Sequence, residues 1–303
     1  MGERIHRLFD PDEKHHQPAP PCEDVPRKSP QEALAREGCR SRLFLSLLSG
    51  LPNEQDFVLG ALAGLGAPLL SPRMLEVLVA QAGVWGPGAA LGGLYSECWR
   101  GVEGRRMRLF WRATLHPPLC ATLGVDAAAG EEEEPFLEPW ELRAEGCRVT
   151  QVALILHNLS FEVQNVSVLV NSAIFIRFLL LCIHCSWANL KQIAFDTLAN
   201  IAEEVVLCGG EEADRLLLGV VLAGVVSGDR FVALRSMDAL AQMAPRNELL
   251  LVPRIDTQVC GRLVSLLSVR DVLLLHLALE CLCALSELGR APCDCIARTP
   301  GVA

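Results

Sequence analysis

The chain has 303 residues, of which 51% are hydrophobic and 21% charged, and that apolar mass excludes global disorder. Acidic residues outnumber basic ones by 36 to 27, giving a net charge of -9 at pH 7, which excludes a uniformly basic nucleic-acid-binding chain but not a local basic patch. Aromatic residues make up 5%, with a single tyrosine, and this argues against a strand-rich core; the abundance of Leu and Ala favours helix. Met1 to Asp12 is charged and has no apolar h-region, so no signal peptide is expected. The 13 cysteines are therefore read as free, mostly buried thiols of a reducing compartment, and the sequons at Asn158 and Asn165 as idle. The apolar run Ala173 to Cys185 is interrupted by Arg177 and His184, and Leu216 to Val226 is about half the length a bilayer needs, so both are expected to be helices buried in protein.

In chain order, residues 1–40 are polar and proline-rich and predict a flexible lead-in. Residues 41–125 predict an N-terminal helical part. Apolar spacing of helical period begins at Leu43 and continues through Leu47, Leu51, Phe57 and Leu62. Ser71 and Pro72 form an N-cap and N1 pair for a second helix over Met74 to Ala82. A glycine-rich break at Gly83 to Gly93 precedes an arginine-rich stretch between Arg100 and Arg112. Residues 126–148, with the Glu131 to Glu134 run, predict an acidic loop; residues 149–298 predict a repeat array, and 299–303 a tail.

The repeat is visible without gaps. Leu156, Leu198, Leu240 and Leu282 are 42 residues apart in succession, and Leu159, Ile201, Met243 and Leu285 form a second column. Val152, Ala194, Ser236 and Ala278 make a mostly small third column, expected where helices of one repeat approach closely. A preceding helix keeps the same register through Leu179, Val221 and Leu263, and the connection repeats through Trp187, Asp229 and Asp271. Columns three or four residues apart share one helical face. The expected fold is all-α: an armadillo/HEAT-like α-solenoid with a repeat of roughly 42 residues, in which stacked units share one core and the leucine column is buried.

The segment Ala194-Phe-Asp-Thr-Leu-Ala-Asn-Ile-Ala202 resembles the third helix of the armadillo consensus, as does Ala153-Leu-Ile-Leu-His-Asn-Leu-Ser160. More specifically, Leu45-Ser-Leu-Leu-Ser-Gly-Leu-Pro-Asn-Glu-Gln-Asp-Phe57, Leu115-His-Pro-Pro118, Gln151-Val-Ala-Leu-Ile-Leu-His-Asn-Leu-Ser-Phe-Glu162 and Asp271-Val-Leu-Leu-Leu275 are similar to the armadillo-like region of the ARID-containing signature subunit of PBAF-type SWI/SNF chromatin remodellers. The match runs in the family's order over roughly residues 42 to 298. Residues 1–40 are too short for an ARID domain, and the RFX-type and zinc-finger domains are not expected here. The chain is thus read as a fragment, a divergent paralogue or an incomplete gene model of such a subunit. The resemblance implies a nuclear, non-catalytic scaffold that docks other SWI/SNF subunits and supports transcription regulation, touching DNA or nucleosomes only indirectly or weakly, with no membrane or small-molecule substrate.

Several residues invite functional readings. Asn158, Asn200 and Gln242 lie one repeat apart, and in armadillo proteins that position resembles an amide ladder lining a groove for an extended peptide. The competing reading is that these amides bond neighbouring loops. Arg100, Arg105, Arg106, Arg108 and Arg112, beside Trp99 and Trp111, could form a phosphate- or acidic-surface-binding patch, or else a solvated helix face with tryptophan inward. Asp196, Asp238 and Glu280 share a column expected to face solvent. Cys182, His184 and Cys185 lack a second ligand pair at zinc spacing and are read as structural, as are His157 and His276 on apolar helices; no metal or cofactor is expected. No Walker loop, H-E-x-x-H, G-x-S-x-G or full dinucleotide fingerprint occurs, so no enzyme activity is expected.

Overall fold

The computed structural model describes residues 37–64, 70–85, 97–125, 143–210 and 212–300, with only the backbone described at 37–40, 64 and 97–103. Among these residues there are fifteen α-helices and no strand. They are α1 Glu37–Leu48, α2 Pro52–Gly64, α3 Pro72–Gln81, α4 Glu97–Thr114, α5 Pro117–Thr122, α6 Ala144–Leu159, α7 Val163–Val170 and α8 Ala173–His184, followed by α9 Ala188–Ile201, α10 Glu212–Val225, α11 Arg230–Met243, α12 Glu248–Leu251, α13 Thr257–Leu266, α14 Val272–Glu287 and α15 Arg290–Ala297. The lead-in, glycine-rich break, acidic run and last three residues expected from sequence lie largely outside the described residues.

Local chemistry sets the helix starts. Ser71 is the N-cap of α3, its hydroxyl accepting from Met74 N–H at 3.2 Å, and Pro72 occupies the first turn, where its missing N–H costs nothing. Aspartate caps α11, α13 and α14: Asp229, Asp256 and Asp271 each accept from two backbone N–H groups of the first turn. Gly83, at φ 74°, ends α3, and a β-carbon there would meet Met107 Cβ at 2.2 Å. Two boundaries differ from expectation. Helix α1 begins inside the segment read as lead-in, and α6 begins at Ala144, inside the segment read as acidic loop. At α6 the extended Arg143 caps the helix, and Glu145 in the first turn lies 3.7 Å from the Arg143 guanidinium.

The helices stack in two layers that form an α-solenoid. One layer runs α3, α8, α10, α13; the other runs α2, α6, α9, α11, α14. The pairs α8–α9, α10–α11 and α13–α14 are hairpins joining the layers, and the second helix of each opens at Ala188, Arg230 and Val272. One continuous core lies between the layers. Its second-layer side repeats a column of four residues per helix: Val149, Ala153, Leu156 and Ser160; then Lys191, Phe195, Leu198 and Ala202; then Ala233, Met237, Leu240 and Ala244. All of these are buried except Lys191, which is half-buried. Each column is covered by the next helix of its layer, as Cys281 Sγ on α14 shows by lying 2.9 Å from Met237 O on α11.

Leu156, Leu198 and Leu240 are thus core residues, but Leu282 is only half-buried, contrary to expectation. The reason is positional: no helix of the described residues follows α14 in its layer. Leu267, at the C-cap of α13, is 36% exposed. The runs expected as buried helices are α8 and α10; nine of the twelve residues of α8 are buried. No single helix among the described residues is long and apolar enough to cross a membrane, although α7 and α8, bent by 90°, are apolar enough as a pair.

Candidate protein-docking surface

Asn158, Asn200 and Gln242 occupy equivalent places near the C-terminal ends of α6, α9 and α11. Asn158 is exposed. Asn200 Nδ2 donates to Ser160 Oγ at 2.9 Å, across the α6–α9 joint, and Gln242 Nε2 donates to Asp238 Oδ1 within its own helix. Two of the three amides therefore already serve contacts inside the chain, each with one of its two N–H groups.

The same surface carries charges that knit the joints. Asp196 on α9 pairs with Arg235 on α11 at 2.5 Å, and Arg235 also lies 3.7 Å from Asp238. The Arg246 guanidinium makes a two-pronged pair with Glu204, at 2.7 and 3.0 Å, which raises its pKa. The acidic column expected to face solvent is therefore partly used to join repeats, because an arginine one helix on lies within reach. Glu280, at the end of the column, pairs only with His276 of its own helix, at 3.3 Å, among the described residues.

The histidines divide. His276 is exposed, 64% at the side chain, rather than part of the apolar interior, because it lies on the outer face of α14. His157 is half-buried against Thr197 Oγ1 at 3.3 Å; since that hydroxyl donates to Ile193 O, it accepts from His157 Nδ1–H. Burial holds the His157 pKa below 6.5, with Asp196 acting against the shift and Arg235 with it. Burial and then Lys191 lower His184 in the same sense. Cys182 and Cys185 are buried; burial raises both thiol pKa values, Cys185 to about 11, so they are protonated and inert near neutrality. No group of three or more potential metal ligands forms among the described residues.

On α4, Met107, Phe110 and Trp111 face the core, and Trp111 Nε1 donates to Ala82 O at 2.8 Å. Arg105 and Arg106 are exposed, whereas Arg108 and Arg112 are half-buried; the side chain of Arg100 and that of Trp99 lie outside the described residues. By their spacing Arg105, Arg108 and Arg112 share one face of the helix, with Arg106 beside it.

Three polar residues with structural roles were not anticipated. Arg177 turns from α8 to donate to Leu123 O, to Gly124 O at 2.7 Å and to Trp85 O at 3.1 Å, clamping two chain segments onto the stack. It lines a hollow of about 310 Å³ with Trp85, Leu123, Gly124, Ile174 and Leu216, but its guanidinium is already committed to those carbonyls. Buried Asn165 accepts from Leu70 N–H at 2.7 Å and donates to Leu159 O. Buried Asn247 accepts from Leu207 N–H at 2.7 Å and donates to Val205 O and Met243 O. Each asparagine satisfies backbone groups of a connector that crosses from one repeat to the next. Asn165 lies 6 residues past Leu159 and Asn247 4 past Met243, so an ungapped alignment does not pair them.

With these contacts placed, similarity to known proteins gives them a context. The chain is 33% identical over 285 residues, 85% of its length, to AT-rich interactive domain-containing protein 2 of Mus musculus. It is homologous to one region of that protein. A second relative, SWI/SNF chromatin remodeling complex subunit swsn-7 of Caenorhabditis elegans, is 28% identical over 281 residues, 86% of this chain. The homologous region is a small part of each relative: the chain spans 15% of the mouse protein's length and 23% of the worm protein's. No family model matches the chain. Among solved structures, a crystal structure of an engineered protein aligns with 88% of this chain and 62% of its own at 17% identity and a TM-score of 0.47.

Proposed function

We propose that this chain is a non-catalytic scaffold region of a PBAF-type SWI/SNF chromatin-remodelling complex, working in the nucleus and docking other subunits through armadillo-like repeats. The observation that carries the reading is the pair of relatives, one named as a SWI/SNF subunit, each aligned over more than four-fifths of this chain. The architecture supports it: a stacked array exposes a long continuous surface, which suits docking better than chemistry. The docking face is the second layer, along Asn158, Asn200 and Gln242. Asn158 is exposed there, and Asn200 and Gln242 each keep a second N–H beyond the one already used.

The test is affinity capture from nuclear extract with the tagged chain, read by mass spectrometry. SWI/SNF subunits are expected with the wild-type chain and are expected to decline with an Asn158→Ala/Asn200→Ala variant that keeps its helical circular dichroism. Recovery of no remodeller subunit would contradict the reading, and equal recovery by the variant would remove the amide ladder. Exposed Arg105 and Arg106 support a second reading, weak contact with DNA phosphate. A mobility shift over a salt series tests it: binding that ignores salt, or none, would dismiss it.

A further inference from the structure

The thiols divide by what surrounds them. Cys281 Sγ donates to Met237 O at 2.9 Å and Cys185 Sγ to Cys182 O at 3.0 Å, and all three of these cysteines are buried. Cys293 is exposed, and its Sγ donates to Ser286 O at 3.2 Å. Cys260 and Cys295 are placed differently. Cys260 on α13 is buried and Cys295 on α15 is partly exposed, and the two thiols hydrogen-bond each other where the helices pack. One thiol of the pair therefore meets solvent while the other lies directly behind it.

Packing gives a bond at this point a consequence. Cys260 and Val264, one turn apart on α13, are buried but lie outside the continuous core between the layers. Their cover is α15, which packs on both α13 and α14. That cover is thinly held: Pro292 is the buried residue of α15, and Ile296 is half-buried against the core. Thr299 Oγ1 donates to Cys295 O at 2.9 Å, within the same short element. With so little apolar area to seat the helix, a covalent tie from Cys295 to α13 restrains it where burial does not.

We propose that Cys260 and Cys295 form a redox modification site, at which a peroxide converts the pair into a disulfide that latches α15 onto α13. Cys295, the more exposed thiol, reacts first. Its thiolate attacks one oxygen of hydrogen peroxide and breaks the O–O bond, giving a sulfenic acid and hydroxide. Cys260 then loses its proton and attacks the Cys295 sulfur, forming the S–S bond and expelling the sulfenic oxygen as hydroxide. The two thiol protons and the two hydroxides make water, so two thiols and one hydrogen peroxide give one disulfide and two waters. Burial foremost, then the hydrogen bond and charge of Cys295, with Asp256 behind them, push the Cys260 thiol pKa up. Oxidation of Cys295 removes its own share of that effect, so Cys260 becomes a better nucleophile only once its partner is oxidised. The site does not depend on which complex the chain serves.

The test uses the full chain. Reduced protein is treated with hydrogen peroxide at mildly alkaline pH, the remaining thiols are alkylated, and the digest is read by mass spectrometry without reduction. A linked Cys260–Cys295 peptide is expected; it should vanish with dithiothreitol and be absent from a Cys295→Ser chain whose circular dichroism is unchanged. Cys293→Ser, two positions away, should keep it. Amides of residues 292–298 should exchange about tenfold more slowly in the oxidised chain than in the reduced one, and not in peroxide-treated Cys295→Ser. No linked peptide, Cys295 driven to sulfinic or sulfonic acid beside a reduced Cys260, a link equally abundant in urea-unfolded chain, or a link that leaves exchange unchanged would each overturn the proposal.

Discussion

Gly224 on α10 and Ser236 on α11 touch so closely that a β-carbon on the glycine would lie 1.9 Å from Ser236 Oγ and 2.7 Å from its Cβ. Ser236 belongs to the small-residue column Val152, Ala194, Ser236 and Ala278, all of which are buried. The two helices of a hairpin can pack this tightly only where neither carries bulk. Gly224→Ala should therefore cost about 1–3 kcal/mol through overpacking. Ser236 Oγ is buried without a hydrogen-bond partner among the described residues, so Ser236→Ala should be neutral or stabilise by up to about 1 kcal/mol. Urea denaturation of both variants checks the pair; a Gly224→Ala chain as stable as wild type would show that the hairpin is looser than described.

The half-buried state of Leu282 separates it energetically from its equivalents. Leu198→Ala should cost about 2–5 kcal/mol, because the surrounding helices leave a cavity. Leu282→Ala should cost less than about 2 kcal/mol, since part of its surface already faces water. Equal losses in urea midpoints would contradict the difference in burial between the two leucines.

Much of this fold was legible because packing against like neighbours imposes the same residue sizes at the same helical positions. The leucine and small columns, the Ser71-Pro72 start and the burial of α8 and α10 all follow from periodicity and capping chemistry. The exposure of Leu282 was not legible: it carries the same sequence signal as Leu240, and what distinguishes them is that no further second-layer helix covers α14 among the described residues. Contacts made by long side chains were also hidden. Nothing in the run Ala173 to Cys185 says that Arg177 reaches back to Trp85, Leu123 and Gly124. Asp196 looked solvent-facing because Arg235 is its neighbour across a joint rather than along the sequence. The equivalent positions of Asn200 and Gln242 were legible in the sequence, but not their bonds to Ser160 and Asp238.

Asn247→Ala leaves three buried backbone groups, Leu207 N–H, Val205 O and Met243 O, without their side-chain partner. The expected loss is about 1–3 kcal/mol. Hydrogen exchange should report it locally, as faster exchange of the Leu207 amide. Unchanged protection there would mean that the connector is held by something other than Asn247.

Acid should weaken the stack through its imidazoles. His157 and His184 both have folded-state pKa values below 6.5, chiefly because burial disfavours the charged ring. The unfolded chain therefore binds more protons in the window between each lowered value and 6.5, so stability falls as pH drops through that window and the loss levels off below it. Urea midpoints should decline from pH 7 toward pH 5, and His184→Gln should flatten the decline. A midpoint that rises on acidification over this range would refute the assignment.

Hydroxyl-radical footprinting of the intact chain, read residue by residue by mass spectrometry, tests the stacking most directly. Leu156, Leu198 and Leu240 should resist oxidation, Leu282 should react at an intermediate rate, and Leu279 should react fastest. Oxidation of Leu198 and Leu240 as fast as Leu279 would mean that no successor helix covers them, and the layered solenoid would not stand.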